Sequence, residues 1–161
     1  MLIYLVIFGV AVALVFDFLN GMNDAANSIA TIVSTKVLSP LAAVLWAAFF
    51  NFAAAFIFGV HVAETIGKGI VHPSFMNVYT ILAALLGAIV WAYACTKLGL
   101  PISVSHALIG GLIGPGLMVG GLNALVTSGI VTVLAFIVLS PIIGMILAYF
   151  IMLIIMFLFT K

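Results

Sequence analysis

The sequence predicts an all-α integral membrane protein of about five transmembrane helices, with a broken first helix and one re-entrant helical hairpin. Three observations carry this. Of 161 residues, 68% are hydrophobic and 4% charged, with a mean hydropathy of +1.56, whereas a soluble domain carries about 25% charged residues. The apolar residues fall in several runs near the roughly 20 residues that cross a bilayer as helix. Glycine, proline and small polar clusters punctuate these runs, with few charges between them.

Leu2 to Phe18 is the first apolar run. It lacks a small-residue cleavage site followed by a polar mature region, so it reads as a permanent span and not a signal peptide. Asn20, Gly21, Asn23 and Asp24 interrupt it, and helical character resumes from Ala25 to Val37, giving a broken helix over 2–37. Pro40 opens the next span, 41–59. A polar connection from His61 to Asn77 holds Glu64, Lys68, His72 and Pro73, and a clear span over 78–96 is closed by Lys97 and Gly99.

Residues 101–121 are apolar but hold Gly110, Gly111, Gly114, Pro115, Gly116, Gly120 and Gly121. Proline removes a helix hydrogen bond and clashes with the preceding turn. A re-entrant hairpin with its turn in Gly110–Gly116 fits this composition; the alternative is a kinked span packed through small residues. Residues 122–160 would extend about 58 Å as one helix. Ser140-Pro141 therefore divides them into spans 122–139 and 141–160, with Thr127-Ser128-Gly129 a weaker interruption. Five crossings and one hairpin put Lys36, Lys97 and Lys161 on one face and Lys68 on the other. The positive-inside rule then places the first three in the cytoplasm and the N-terminus outside the cell membrane.

Composition also excludes. Four lysines and no arginine cannot replace the counterions of a nucleic acid, and any bound anion must be held without a guanidinium. A single cysteine, Cys95, excludes an intrachain disulfide and reads as a buried thiol. No His/Cys cluster has transition-metal spacing and no nucleophile–base pair is recognisable, so neither an enzyme nor an organic cofactor is expected.

Two constellations carry chemistry. The first is Asn20–Ser28. A carboxylate at the bilayer centre costs about 2.5–3.5 kcal/mol on insertion scales, so Asp24 demands an explanation. It either caps a helix beginning at Ala25 or, with Asn23 and carbonyls freed by the break, binds a hard monovalent cation such as sodium. The second is Pro101-Ile102-Ser103-Val104-Ser105-His106, a helix start with proline at its beginning. Such a terminus carries about half a positive charge and unpaired amides, and binds anions without a formal cation; the plainer reading is that Ser103 and Ser105 only cap. His106 is either a packing residue or a proton carrier. Glu64 and Lys68, four apart, form either a surface ion pair or part of a polar vestibule. His61 and His72 read as solvated.

These residues resemble the inorganic phosphate transporter (PiT) family. Gly21-Met22-Asn23-Asp24-Ala25-Ala26-Asn27-Ser28 is similar to its Gly-Ala-Asn-Asp-Val-Ala-Asn-Ser signature. Glu64-Thr65-Ile66-Gly67-Lys68-Gly69 is similar to its Glu-Thr-Ile-Arg-Lys-Gly element, and Pro101 to Ala107 to its Pro-Val-Ser-Thr-Thr-His-Ala motif. The resemblance implies a secondary transporter moving inorganic phosphate with sodium or protons as coupling ion. It assigns Asn23 and Asp24 to the cation, and Asn27, Ser103, Val104 and Ser105 to phosphate. Met22, Ala25, Gly67 and Val104 depart from the pattern; Gly67 removes a positive charge and Val104 a hydroxyl. Family members carry two inverted repeats, and an odd number of crossings corresponds to the N-terminal repeat alone. The second repeat is then expected in the same gene, in a separate chain, or in an antiparallel copy of this one. A sulfate permease of the same family and a non-transporting membrane subunit or fragment are the alternative functions.

Overall fold

The computed structural model describes residues 2–58 and 67–159; His61, Glu64 and Lys161 lie outside the described residues. Among the described residues, five helices are long and apolar enough to cross a membrane. They are α1 (Leu2–Ser34), α2 (Pro40–Phe58), α3 (Val78–Leu98), α4 (Val104–Gly120) and α5 (Thr127–Phe159). Short 3-10 turns at Pro73–Phe75 and Gly121–Ala124 complete the connections, and Val71 pairs with Leu125 in an isolated bridge.

Three expected interruptions are absent. The first helix is continuous through Asn20–Asp24, so Asp24 is not an N-cap. Magnitudes explain why. Glycine inside a helix costs about 1 kcal/mol relative to alanine, whereas each backbone group orphaned in an apolar medium costs several. The polar side chains bond within the helix as well: Asn23 Nδ2 donates to the Leu19 carbonyl at 2.8 Å, and Ser28 Oγ to that of Asp24 at 3.0 Å. The helix does not divide at Ser140-Pro141: Pro141 lies inside α5, 33 residues long, where a proline forgoes one backbone hydrogen bond without stopping the helix. Nor is there a turn in Gly110–Gly116. Pro115 lies inside α4, which runs unbroken to Gly120.

The glycines of α4 serve contact instead. A Cβ on Gly111 would stand 2.5 Å from the Ala84 carbonyl oxygen, one on Gly116 3.0 Å from the Val71 side chain, and one on Gly120 2.5 Å from the Phe75 ring. Glycine therefore lets α4 lie directly on α3 and on the connection before it. The chain turns between these two helices at Gly99, whose φ of +66° lets its amide and that of Leu100 bond back to the Thr96 and Cys95 carbonyls, a glycine-closed helix end. At the other end of α3, Asn77 and Thr80 form a reciprocal capping box, which satisfies two donors where the helix begins. So the hairpin in this chain is α3 and α4 together, antiparallel about the Gly99–Ser103 turn.

By contacts the chain divides after Leu125. In the first unit, α1 packs along α3 through Val12, Leu82 and Leu85, with Leu5, Phe16 and Leu108 beside them. The second unit is α5, none of whose residues is buried.

Replacing Gly111 by alanine is expected to destabilise the folded chain by about 1–3 kcal/mol, the usual cost of overpacking. Gly144→Ala in α5, whose Cβ would meet nothing within 4 Å, is expected to be neutral or mildly stabilising. Thermal unfolding in detergent, followed by circular dichroism, measures both; equal melting of the two variants would contradict the close approach.

Candidate functional site

The register between α1 and α3 decides what the polar residues meet. Gly9 lies against Leu82, and the Thr96 hydroxyl donates to Asn23 Oδ1 at 2.9 Å, each pair 73 residues apart. A constant offset means that the two helices run parallel. Asn23 is therefore level with the last turn of α3, and Asn27, one turn further, is level with the Gly99–Ser103 turn from which α4 starts. The Asn-Asp motif and the Pro-x-Ser-x-Ser motif, some eighty residues apart in sequence, share one end of the unit.

At the start of α4, Ser103 is the N-cap, with φ −107° and ψ 114°, and its hydroxyl accepts from the His106 amide at a long 3.4 Å. The Ala107 amide bonds the Ser103 carbonyl. The amides of Val104 and Ser105 have no partner among the described residues, as expected for the first turn of a helix. Ser103, Ser105 and His106 are exposed, whereas the Val104 side chain is 2% exposed. The position that resembles a family threonine thus turns its side chain into the core. Ser103 and His106 border a groove of about 800 Å³ with Cys95, Pro101 and Gly110.

Adjacent residues on α1 diverge by about 100°, and Asn23 and Asp24 meet different neighbours. Asn23 faces α3. Asp24 is exposed and lies one turn before Ser28 on the same face. Ser28 lines a smaller cavity of about 250 Å³ between α1 and α2 together with Asn51. Asn27 is exposed and its side chain has no partner among the described residues. Lys68 belongs to the other end: Val71, three residues on, packs against Gly116, roughly 20 Å along α4 from Ser103. Glu64 lies outside the described residues.

Two polar residues in this region escaped the sequence reading. Asn51 interrupts the otherwise apolar α2 and was visible on that ground alone. Thr96 had no local signal, because only the α1–α3 register gives it a partner.

The phosphate transporter family profile matches residues 20–161. The chain belongs to that family. A probable low-affinity inorganic phosphate transporter of Rhizobium meliloti is 55% identical over 94% of this chain, which spans 46% of that protein. One of Streptomyces halstedii is 47% identical over 90% of the chain and 68% of its own length. A solved structure described as the sodium-dependent phosphate transporter superposes with a TM-score of 0.87 at 33% identity, covering 95% of this chain and 39% of the other. The chain thus spans less than half the length of the Rhizobium relative and of the solved structure. These relatives are transporters, not enzymes.

Asn23→Ala removes both hydrogen bonds of its amide and is expected to lower stability by about 1 kcal/mol. Asn27→Ala removes none and is expected to leave the melting of the ligand-free protein unchanged. Comparable losses in thermal unfolding would make Asn27 a structural residue.

Proposed function

We propose that this chain forms part of a sodium-coupled phosphate symporter, with phosphate held at the start of α4 and the cation at the Asn-Asp motif of α1. One observation carries the reading. The parallel register of α1 and α3 sets Asn27 level with the free amides of Val104 and Ser105, in a family of phosphate transporters whose solved relative is described as sodium-dependent. Phosphate oxygens accept from those two amides and from the hydroxyls of Ser103 and Ser105, and the Asn27 amide donates from the neighbouring helix. Asp24 supplies the negative charge that draws sodium to the same depth.

The site is completed by residues beyond this chain. Its relatives are longer, and a second, inverted repeat, in the same protein or a partner copy, closes the other side of the anion and allows access to alternate across the membrane. The lysines support an orientation. One crossing per helix puts Lys36 and Lys97 on one side and Lys68 on the other, so the former are cytoplasmic in the cell membrane.

Uptake of labelled phosphate into vesicles is expected to require an inward sodium gradient, and Asp24→Asn to reduce it by about tenfold or more. Sodium-independent uptake, or full uptake by the variant, would overturn the cation's place. Ser103→Asp keeps a good helix cap but sets a carboxylate against the anion. It is expected to preserve folding and abolish phosphate binding, whereas a mere cap predicts no loss. The buried Val104 side chain, which offers no hydroxyl to distinguish oxyanions, favours sulfate as a second substrate; competition by sulfate at concentrations near those of phosphate would support it.

A further inference from the structure

We infer that Thr96 and Asn20 complete the cation site with Asn23, placing sodium in the seam between α1 and α3. The inference rests on the cation reading above and names residues that reading does not use. The Thr96 hydroxyl has one hydrogen and two acceptors in range, Asn23 Oδ1 at 2.9 Å and its own helix's Ala92 carbonyl at 2.8 Å. The Ala92 carbonyl can therefore take the hydrogen at once, leaving Thr96 Oγ1 and Asn23 Oδ1 as two bare oxygens 2.9 Å apart. With no cation, two such lone-pair carriers repel. With a cation about 2.4 Å from each, in the range of calcium–oxygen contacts, they subtend roughly 75° at it, an ordinary angle in a shell of six to eight oxygens.

The Asn23 amide is oriented for this role. Its Nδ2 is tied to the Leu19 carbonyl at 2.8 Å, so the oxygen is the end left facing Thr96, and a flipped amide would set two oxygens against each other.

Asn20 supplies a separate observation. Its Oδ1 is a buried side-chain atom with no hydrogen-bond partner, and it lies one turn before Asn23, on a neighbouring part of the same helix face. A buried unpaired amide oxygen is costly and calls for an ion, a water or another donor. Asn20, Asn23 and Thr96 together present neutral oxygens only, which suits a monovalent ion over calcium or magnesium, whose sites use carboxylates.

The test is sodium titration of phosphate uptake by the assembled transporter carrying Thr96→Val or Thr96→Ser. Thr96→Val, similar in shape but without the oxygen, is expected to raise the half-saturating sodium concentration about tenfold, as loss of a ligand-positioning group does. Its phosphate KM at saturating sodium stays near that of the wild type, and Thr96→Ser restores the wild-type sodium curve. An unchanged sodium curve in Thr96→Val overturns the inference. So does a loss of maximal rate alone, which is what a packing defect gives. Asn20→Leu provides a readout that needs no transport. It is expected to melt no earlier than wild type in choline chloride but to lose the stabilisation that sodium chloride gives the wild type; retention of that stabilisation overturns the role of Asn20. If wild-type protein shows neither sodium stabilisation nor sodium-dependent uptake, the coupling reading itself falls, an outcome distinct from a sodium-responsive wild type with indifferent variants.

Discussion

The close approach of Gly111 to the Ala84 carbonyl fixes how α4 lies on α3, and with it the level at which the polar first turn of α4 begins. Where a Cβ would stand 2.5 Å from a backbone oxygen, two helix axes come nearer than any side chain permits, and the register of α4 on α3 has little freedom to slide. Small residues at such an interface are the usual means of helix association in lipid, where no hydrophobic force separates helix from solvent. From this contact the antiparallel geometry follows back to Gly99. The first turn of α4 then lies level with the end of α3, and through Thr96 with Asn23 on α1. The polar ends of α1, α3 and α4 thus come to one level with the help of a glycine well away from them.

The same constraint explains which parts of the fold were legible in the sequence. The apolar runs, the stop at Gly99 and the helix start at Ser103 are written locally, in composition and in residues with one conformational use. The interruptions were misread because glycine and proline were weighed as they act in water. In a bilayer the alternative to a helical backbone is an unsatisfied one, costing several kcal/mol per group. The chain therefore keeps α1 and α5 continuous and uses glycine for contact. Of the candidate site, Asn23, Asp24, Asn27 and the serines were visible as polar residues out of place. Thr96 was not, since its significance depends on an offset of 73 residues that no local pattern encodes. Lys68 agrees with the sequence in its placement: the count of crossings set it on the face opposite Lys36 and Lys97, and the packing of Val71 on Gly116 puts it at the far end of α4.

Burial gives a further bound. Val12, Leu82 and Leu85 form a small core, while most large apolar side chains on α1, α2 and α5 are exposed. For a protein in lipid this is no defect, because lipid tails solvate such surface as well as protein does. It is otherwise for Asp24, Asn27 and Ser105, which are exposed and polar. Those groups need either water or another polar surface beside them.

Charge balance ties the proposed cation to the proposed anion. A helix N-terminus offers about half a positive charge, against roughly 1.5 to 2 negative charges on a phosphate group near neutral pH. With no arginine in the sequence and Lys68 at the far end, the lysines at this end are Lys36, just past α1, and Lys97, in the last turn of α3 over the Tyr93 ring, so the start of α4 alone compensates a phosphate only in part. Neutral oxygens on Asn23 and Thr96 would solvate a cation without cancelling its charge, which leaves Asp24, exposed on another face of α1, as the carboxylate at that depth. In the proposed symporter each ligand would supply charge that the protein provides only in part to the other, and the affinity of either would rise when its companion is bound. That reciprocity is a thermodynamic requirement for two linked sites. In the proposed symporter coupling would then need no separate device: the sparing use of charge that lets this chain enter a membrane would also make one substrate depend on the other.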